Sequence, residues 1–242
     1  MVWKYLIGVP VLVLAGSSLL GLSAPPAHPA GGTISGRVNY TGTPPKMKPI
    51  DMSKEPYCEK LHVPPDKTQT VVTGPNDGLQ YVVVYISAGE KPSGPPTTSV
   101  RFDQKGCMYI PHILPMEVGQ DLKIYTNDPV AHNIHPMPKL NPEWNKSQPP
   151  GSPPIDTEWK IAEFIPVKCN IHPWMHGYFA VMNTPHYAVT DENGDFTIKD
   201  VPPGKYTLTA WQEVNAPISK EVTVTSGETK VDFTFHVLPY AY

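Results

Sequence analysis

The sequence has few cysteines and no concentration of basic residues. Only three of 242 residues are cysteine, and the 19 lysines and arginines are outnumbered by 22 aspartates and glutamates, for a formal net charge of −3. Domains that bind nucleic acid usually carry a basic patch or stripe, so nucleic acid is not an expected partner. No fixed-period repeat is visible either.

The sequence also predicts that long helices are absent, because proline is abundant. There are 31 prolines spread along the chain, and proline inside a helix removes a backbone donor and clashes with the preceding turn. Short strands joined by turns tolerate it better, at strand edges and bulges. Since 40% of the residues are hydrophobic, a substantial core can form, and the predicted fold class is all-β.

The N-terminal segment, residues 1–30, has the composition of an exported protein. A single positive charge, Lys4, precedes an apolar run over residues 5–22, and small residues follow it. This is the layout of a secretory signal, but the run is also just long enough to span a bilayer. The segment is thus predicted to be an apolar helix that serves either as a cleaved signal or as a membrane anchor. No cysteine follows the run, so a lipoprotein anchor is not expected, and the rest of the chain is predicted to be periplasmic or otherwise extracytoplasmic.

Export changes the expected state of the cysteines. In an oxidising compartment two cysteines usually pair, and an odd one is reactive or binds a metal. Cys58 and Cys107 both stand in loop-like surroundings and are the predicted disulfide. Cys169 is left over, and it is either a metal ligand or a small buried hydrophobe.

Strand patterns flank Cys169 on both sides. GGTISGRVNYTG alternates and ends in a glycine turn, LQYVVVYISAG is a β-branched and aromatic run, and DLKIYTN is a further candidate strand. Near the end, Asn193-Gly194 predicts a hairpin between AVT and FTI. Between these regions, residues 136–154 form a proline-rich stretch that predicts an extended loop, and a long loop of this kind is usually either functional or disordered.

The segment VKCNIHPWMHGYF, residues 167–179, concentrates soft metal ligands. Cys169, His172 and Met175 are spaced Cys-x-x-His-x-x-Met, and thiolate, imidazole and thioether together favour copper. Pro173 and the flanking strand patterns indicate a loop, which can turn the three side chains toward one point. A trigonal site of two histidines and one cysteine needs a second histidine from elsewhere, and His132 in TNDPVAHNIHPM is the candidate.

AHNIH followed by CNIHPWM resembles the copper-ligand pattern of the cupredoxins, over roughly residues 122–181, and the short loop most resembles that of the amicyanins. The resemblance implies a Greek-key sandwich holding one mononuclear type 1 (blue) copper ion. It implies His132, Cys169 and His172 in the ligand plane and Met175 as the weak axial ligand. It also implies that Asn133 braces the ligand loop.

Three further histidines, His135, His176 and His186, are not required by this pattern. One of them could replace Met175 as the axial ligand, or they could form a second metal position. The alternative is that they face solvent or hydrogen-bond to the proline-rich loop.

The end of the chain resembles the carboxypeptidase regulatory-like (transthyretin-like) β-sandwich. ISGRV matches that family's I-x-G-x-V opening strand, and TDENGDF and PPGKYTL match its later hairpin and strand. The expected domains are a cupredoxin-like domain at 33–187 and a regulatory-like domain at 188–242. The first strand, 33–42, could belong to the second sandwich, with the copper domain inserted or woven into it.

These patterns predict an exported one-electron carrier and not an enzyme. The expected partners are a c-type cytochrome or a membrane or exported redox enzyme, meeting an apolar patch at the exposed edge of a histidine ligand. Three alternatives remain: a copper-handling protein, a copper oxidase or reductase with a second, open copper site, and a non-redox β-sandwich binding module that presents tryptophans to a sugar.

Overall fold

A computed structural model describes residue 1, residues 31–92 and residues 94–236. Its regular structure is almost entirely strand, which confirms the all-β expectation; one short helix, α1 (Pro56–Leu61), and one 3-10 turn (Pro75–Asp77) are present in these ranges. The strands are β1 (Gly32–Thr41), β2 (Val83–Ala88), β3 (Val100–Lys105), β4 (Met108–Ile110), β5 (Ile113–Glu117), β6 (Leu122–Thr126), β7 (His132–Pro136), β8 (Lys146–Gln148), β9 (Ile155–Thr157), β10 (Glu163–Lys168), β11 (His176–Met182), β12 (Tyr187–Val189), β13 (Asp195–Val201), β14 (Gly204–Gln212), β15 (Asn215–Val224), β16 (Glu228–Lys230) and β17 (Phe233–His236).

In the ranges that the structure describes, no helix has the length and hydropathy of a membrane span. The signal or anchor predicted at 1–30 lies outside the described residues except for Met1. It therefore stays a prediction.

Two sheets share one hydrophobic core built from both ends of the chain. One sheet has the order β13-β1-β16, with β17 also paired to β1, and the other has the order β12-β2-β14-β15. Side chains from both sheets, including Val38, Val84, Leu208 and Phe233, meet in the core between them. The predicted boundary between residues 187 and 188 stays a prediction, but β1 and β2 pair with strands that follow residue 186.

Two other sheets form the second core, in the middle of the chain. Their orders are β5-β11-β10-β7-β8 and β4-β3-β6-β9. Phe102, Ile124, Trp159 and Phe179 are fully or almost fully buried between them. The proline-rich stretch contributes β8, which pairs with β7, so part of the predicted loop is a strand.

The Asn193-Gly194 turn forms, but it does not close the predicted hairpin. Gly194 has a φ of +80°, and its N–H donates to the carbonyl oxygen of Asp191 at 3.0 Å. Beyond the turn the chain divides between sheets, because β12 pairs with β2 whereas β13 pairs with β1. The hairpin prediction was wrong because turn chemistry is local, whereas strand partners are chosen by core packing.

The predicted disulfide between Cys58 and Cys107 is confirmed. It joins α1 to the turn between β3 and β4, and both cysteines are buried with Ile50 and Met52 in a small satellite core. The irregular segment before β2 is thereby attached to the second core, beside the loop that carries Cys169.

Candidate metal centre

Strand pairing brings two distant segments to one end of the second core. β7 begins at His132, and the loop that carries Cys169 connects β10 to β11. β7 and β10 are antiparallel with Lys168 opposite His135, so the start of one strand lies beside the end of the other. A histidine and a cysteine that are far apart in sequence therefore become neighbours.

The side chains of His132, Cys169 and His172 converge in the interior. One ligand atom from each lies within 4.8 Å of the others. The two Nδ1 atoms are 2.9 Å apart, and Cys169 Sγ is 3.9 Å from His172 Nδ1. All three residues are buried, and Cys169 is a free thiol. The structure thus provides three converging donors shielded from water.

Backbone hydrogen bonds fold the loop around these donors. The N–H of Cys169 donates to the carbonyl oxygen of Met175 at 3.1 Å, and the N–H of Met175 donates to that of His172 at 2.9 Å. Met175 is fully buried in the same cluster as Cys169. The loop therefore encloses the thioether together with the thiol.

His132 is oriented by Asp128, which the sequence prediction did not include. His132 Nε2 donates to Asp128 Oδ2 at 2.9 Å, and the same carboxylate accepts the N–H groups of Gly106 and Cys107. In the neutral ring the Nδ1 lone pair then points toward His172 and Cys169. In the sequence, Asp128 stands in the turn that precedes His132. An aspartate at that position predicts a turn, but it does not predict that its carboxylate accepts a hydrogen bond from His132.

Asn133 connects the two ligand segments. Its Oδ1 accepts the N–H of Asn170 at 2.7 Å and lies 3.3 Å from Cys169 Sγ, while its Nδ2 donates to Asn145 Oδ1. These contacts bridge the start of β7, the Cys169 loop and the proline-rich stretch.

The electrostatics favour a thiolate. Burial, the largest influence on Cys169, would raise its pKa, but hydrogen bonds from His132 and backbone N–H groups outweigh it and the net pKa is lowered. For His132, burial opposes the charged form, yet Asp128 and Cys169 raise its net pKa. Burial and then the charge of His132 lower the pKa of His172. A metal ion that displaced the proton between the His132 and His172 rings would be bound by two imidazole nitrogens and the thiolate of Cys169.

The sequence predicted that one edge of a histidine ligand is exposed and lies in the docking patch for a partner, but neither His132 nor His172 is exposed. His172 is only 3% exposed, and its Nε2 lies 3.9 Å from Glu55 Oε2, just before α1. The segment attached by the disulfide covers the ring, which the spacing of the motif could not reveal. Ile171 and Pro173, on either side of His172, are exposed.

The three extra histidines do not join this group. His135 contacts Asn170 and Glu143, and His186 contacts Glu90 and the carbonyl oxygen of Asp200. His176 lies in a different cluster, with two residues that the sequence prediction missed: His112 and Glu213. Neither belongs to a recognisable spacing, so the sequence carried no signal for them.

Thiolate, two imidazoles and an enclosed thioether are donors that suit copper. The buried convergence and the lowered pKa of Cys169 fit such an ion. Cys107, Asp128 and His132 also lie close together, but Cys107 is in the disulfide and is not available as a ligand.

Comparison with known proteins identifies one segment. Residues 179–237 match the carboxypeptidase regulatory-like domain. In the structure this regulatory-like segment runs from within β11 to the end of β17 and supplies six strands, β12 to β17, of the two sheets that enclose the first core. No curated protein sequence matches the chain.

Structural neighbours of the chain are cupredoxins. They include the "Novel Purple Cupredoxin from Nitrosopumilus maritimus", at 19% identity over 35% of this chain and 100% of the other, with a TM-score of 0.31. A point mutant of amicyanin in its Cu(I) form matches at 18% identity over 41% of this chain and 98% of the other, with a TM-score of 0.31. The Cu-containing nitrite reductase (NirK) of Thermus scotoductus SA-01 matches at 18% identity over 41% and 25%, with a TM-score of 0.33.

Proposed function

We propose that this chain is an exported cupredoxin-type protein that binds one copper ion and transfers single electrons. The observation that carries the proposal is the buried convergence of His132 Nδ1, His172 Nδ1 and Cys169 Sγ. His132, Cys169 and His172 would hold the ion, and the enclosed thioether of Met175 would be a further ligand. When bound, copper supplies a one-electron Cu(II)/Cu(I) couple.

The surrounding residues suit electron transfer better than catalysis or copper delivery. The ligand residues are buried and held in place, because His132 donates to Asp128 and the N–H of Asn170, next to Cys169, donates to Asn133. These contacts limit rearrangement of the site, and the burial is unfavourable for a substrate that must reach the ion. An ion held this way exchanges slowly, which is unfavourable for a copper carrier. Trp159 is buried and Trp144 stacks on it, so these two rings do not form an exposed sugar platform.

The proposed partners are a c-type cytochrome or a membrane or exported redox enzyme outside the cytoplasm. Ile171 and Pro173 provide exposed apolar surface directly beside His172. A partner that docks on this surface would approach the site through the loop that carries Cys169, since Glu55 faces the Nε2 atom of His172.

The test is to add Cu(II) to the full chain and record visible absorption and EPR. We expect an intense thiolate-to-copper band with narrow hyperfine splitting. Cys169→Ala should abolish both, whereas His135→Gln, which changes a neighbouring histidine outside the donor group, should preserve both. Weak colour and ordinary tetragonal EPR that survive Cys169→Ala would overturn the proposal.

A further inference from the structure

A second cluster of metal-binding side chains lies where the two cores meet. His112 stands between β4 and β5, His176 begins β11, and Glu213 occupies the tight turn between β14 and β15. One ligand atom from each lies within 4.8 Å of the others. Two histidines from the second core thus face a carboxylate from the regulatory-like segment.

The polar atoms of this cluster are buried and lack partners. The side chains of His112 and Glu213 are 1% and 4% exposed, and their nearest polar atoms, Nε2 and Oε1, are 3.7 Å apart, too far for a good hydrogen bond. Within the described ranges, neither ring nitrogen of His112 nor Oε1 of Glu213 has a hydrogen-bond partner. Buried polar atoms without partners are costly, so they indicate a group that would satisfy them.

The third residue already has the arrangement of a metal-binding histidine. His176 Nδ1 lies 3.1 Å from the carbonyl oxygen of Trp174. A carbonyl oxygen can only accept, so Nδ1 carries the proton and Nε2 presents its lone pair. Metal-binding histidines commonly donate their other ring N–H to a carbonyl or carboxylate in this way.

The walls of the cluster are aromatic. The rings of Tyr81 and His176 lie 5.0 Å and 5.2 Å from that of His112, measured between centroids. Burial and then the charge of Glu213 raise the pKa of Tyr178 to about 12, so this neighbour stays a neutral phenol. His112 and Tyr81 also line a cleft of about 680 Å³ that opens to the surface, so the cluster lies beside this cleft.

We propose that His112, His176 and Glu213 form a second metal site that binds a divalent transition-metal ion such as Zn²⁺. Two imidazoles and one carboxylate are a ligand set used for zinc, with a further coordination position left to water or substrate. The carboxylate also offsets part of the ion's charge in a poorly solvated place. Because Met175 and His176 are consecutive, the two proposed sites lie on the same short segment.

A different explanation is that protonated His112 and ionised Glu213 simply form an ion pair. That pair would leave His112 Nδ1 without a partner and would not involve the lone pair of His176. The two explanations make different predictions, since only a metal site makes the stability of the protein depend on zinc.

The test is zinc binding by the metal-depleted full chain in a Cys169→Ala background, which removes the thiolate of the first site. Equilibrium dialysis should show one tightly bound Zn²⁺ per chain, and zinc should raise the melting temperature. His112→Gln and Glu213→Gln should each weaken zinc binding at least about 100-fold, since changes even at groups behind metal ligands cost about 10–100-fold. The Glu213→Gln change is nearly isosteric and preserves the turn.

The matched control is His186→Gln, which removes a partly buried histidine that contacts Glu90 instead. It should leave zinc affinity unchanged. Absence of tight zinc binding in the folded Cys169→Ala chain, or binding that His112→Gln and Glu213→Gln do not weaken, would overturn the proposal. Because the background lacks Cys169, the result is independent of whether the first site binds copper.

Discussion

The histidines of this protein differ in which ring nitrogen has a hydrogen-bond partner. Asp128 holds His132 Nε2, and the Trp174 carbonyl holds His176 Nδ1, so the remaining nitrogen of each ring is directed into a cluster of possible ligands. His186, by contrast, has partners at both nitrogens. At the scale of the residue, the hydrogen bond on the far side of the ring decides whether a histidine is available to a metal.

Asp128→Asn is expected to weaken copper binding by about 10–100-fold, because an amide no longer provides the charged acceptor that orients His132. Competition against a copper chelator would measure the change. Asp156→Asn is the matched control, since Asp156 pairs with Lys123 on the surface, where ion pairs contribute little. Equal copper affinity in the Asp128 and Asp156 variants would contradict the assigned role.

Turns and loops in this fold are held by contacts with distant strands. Gly194 lies against β1, and a Cβ there would overlap the carbonyl oxygen of Val38. In the proline-rich stretch, the carboxylate of Glu163 on β10 accepts backbone N–H groups of Lys139, Leu140 and Asn141. The Gly194 turn and residues 139–141 therefore each depend on a strand that is distant in sequence.

Gly194→Ala should destabilise the protein by more than the roughly 1–2 kcal/mol of a left-handed backbone alone, because the new methyl group also meets the β1 backbone. The control is Gly151→Ala, where φ is +75° but no atom lies within 4 Å of the added Cβ. Urea unfolding of both variants separates backbone strain from steric overlap. If the two variants lost the same free energy of unfolding, β1 would be able to move away from the new methyl group without loss of stability.

Glu163 should give the proline-rich loop a pH-dependent contribution to stability. Burial would raise its pKa, but the N–H donors of residues 139–141 and the Asn141 side chain outweigh it and lower the pKa below the usual 4.5. A lowered pKa means that the contribution is fully present above the usual value and is lost as the pH falls through the lowered value. Urea unfolding across this range should show that the difference between the parent and Glu163→Gln narrows with acidification. A difference that stays constant to the lowest pH would be inconsistent with this assignment.

At the scale of the whole molecule, the disulfide places the segment before β2 over the proposed copper site. Cys58 lies in α1, close in sequence to Glu55, which faces His172. Cys107 accepts the indole N–H of Trp174 through its carbonyl oxygen. One covalent bond therefore connects the cover of the site to the loop that carries its ligands.

Replacing both Cys58 and Cys107 with alanine should lower the free energy of unfolding by about 4 kcal/mol, the value expected for closing a loop of this length; the two residues are 49 apart in sequence. Urea unfolding of the parent and of the double variant, with and without reductant, measures this contribution of the disulfide to the free energy of unfolding. Reductant should destabilise the parent and leave the double variant unchanged. If reductant also destabilised the double variant, the loss of stability would come from the remaining cysteine, Cys169, and not from the disulfide.

Properties that depend on neighbouring residues or on amino-acid composition could be predicted from the sequence. Proline content and strand alternation predicted an all-β fold, and three cysteines, one of them in a ligand-like spacing, predicted which two would pair. Cys169, His172 and Met175 lie within one loop, so their proximity required no knowledge of the fold. Such features depend on local geometry, which short stretches of sequence encode directly.

Contacts between segments that are distant in sequence could be seen only in the folded structure. It paired β1 and β2 with strands near the other end of the chain, sent the strands flanking Gly194 to different sheets, and buried His172 beneath Glu55. It also brought His176 together with His112 and Glu213, neither of which belongs to a motif. The reason is physical: strand partners and buried contacts are selected by how whole faces pack against each other, and that selection leaves no fixed spacing along the chain.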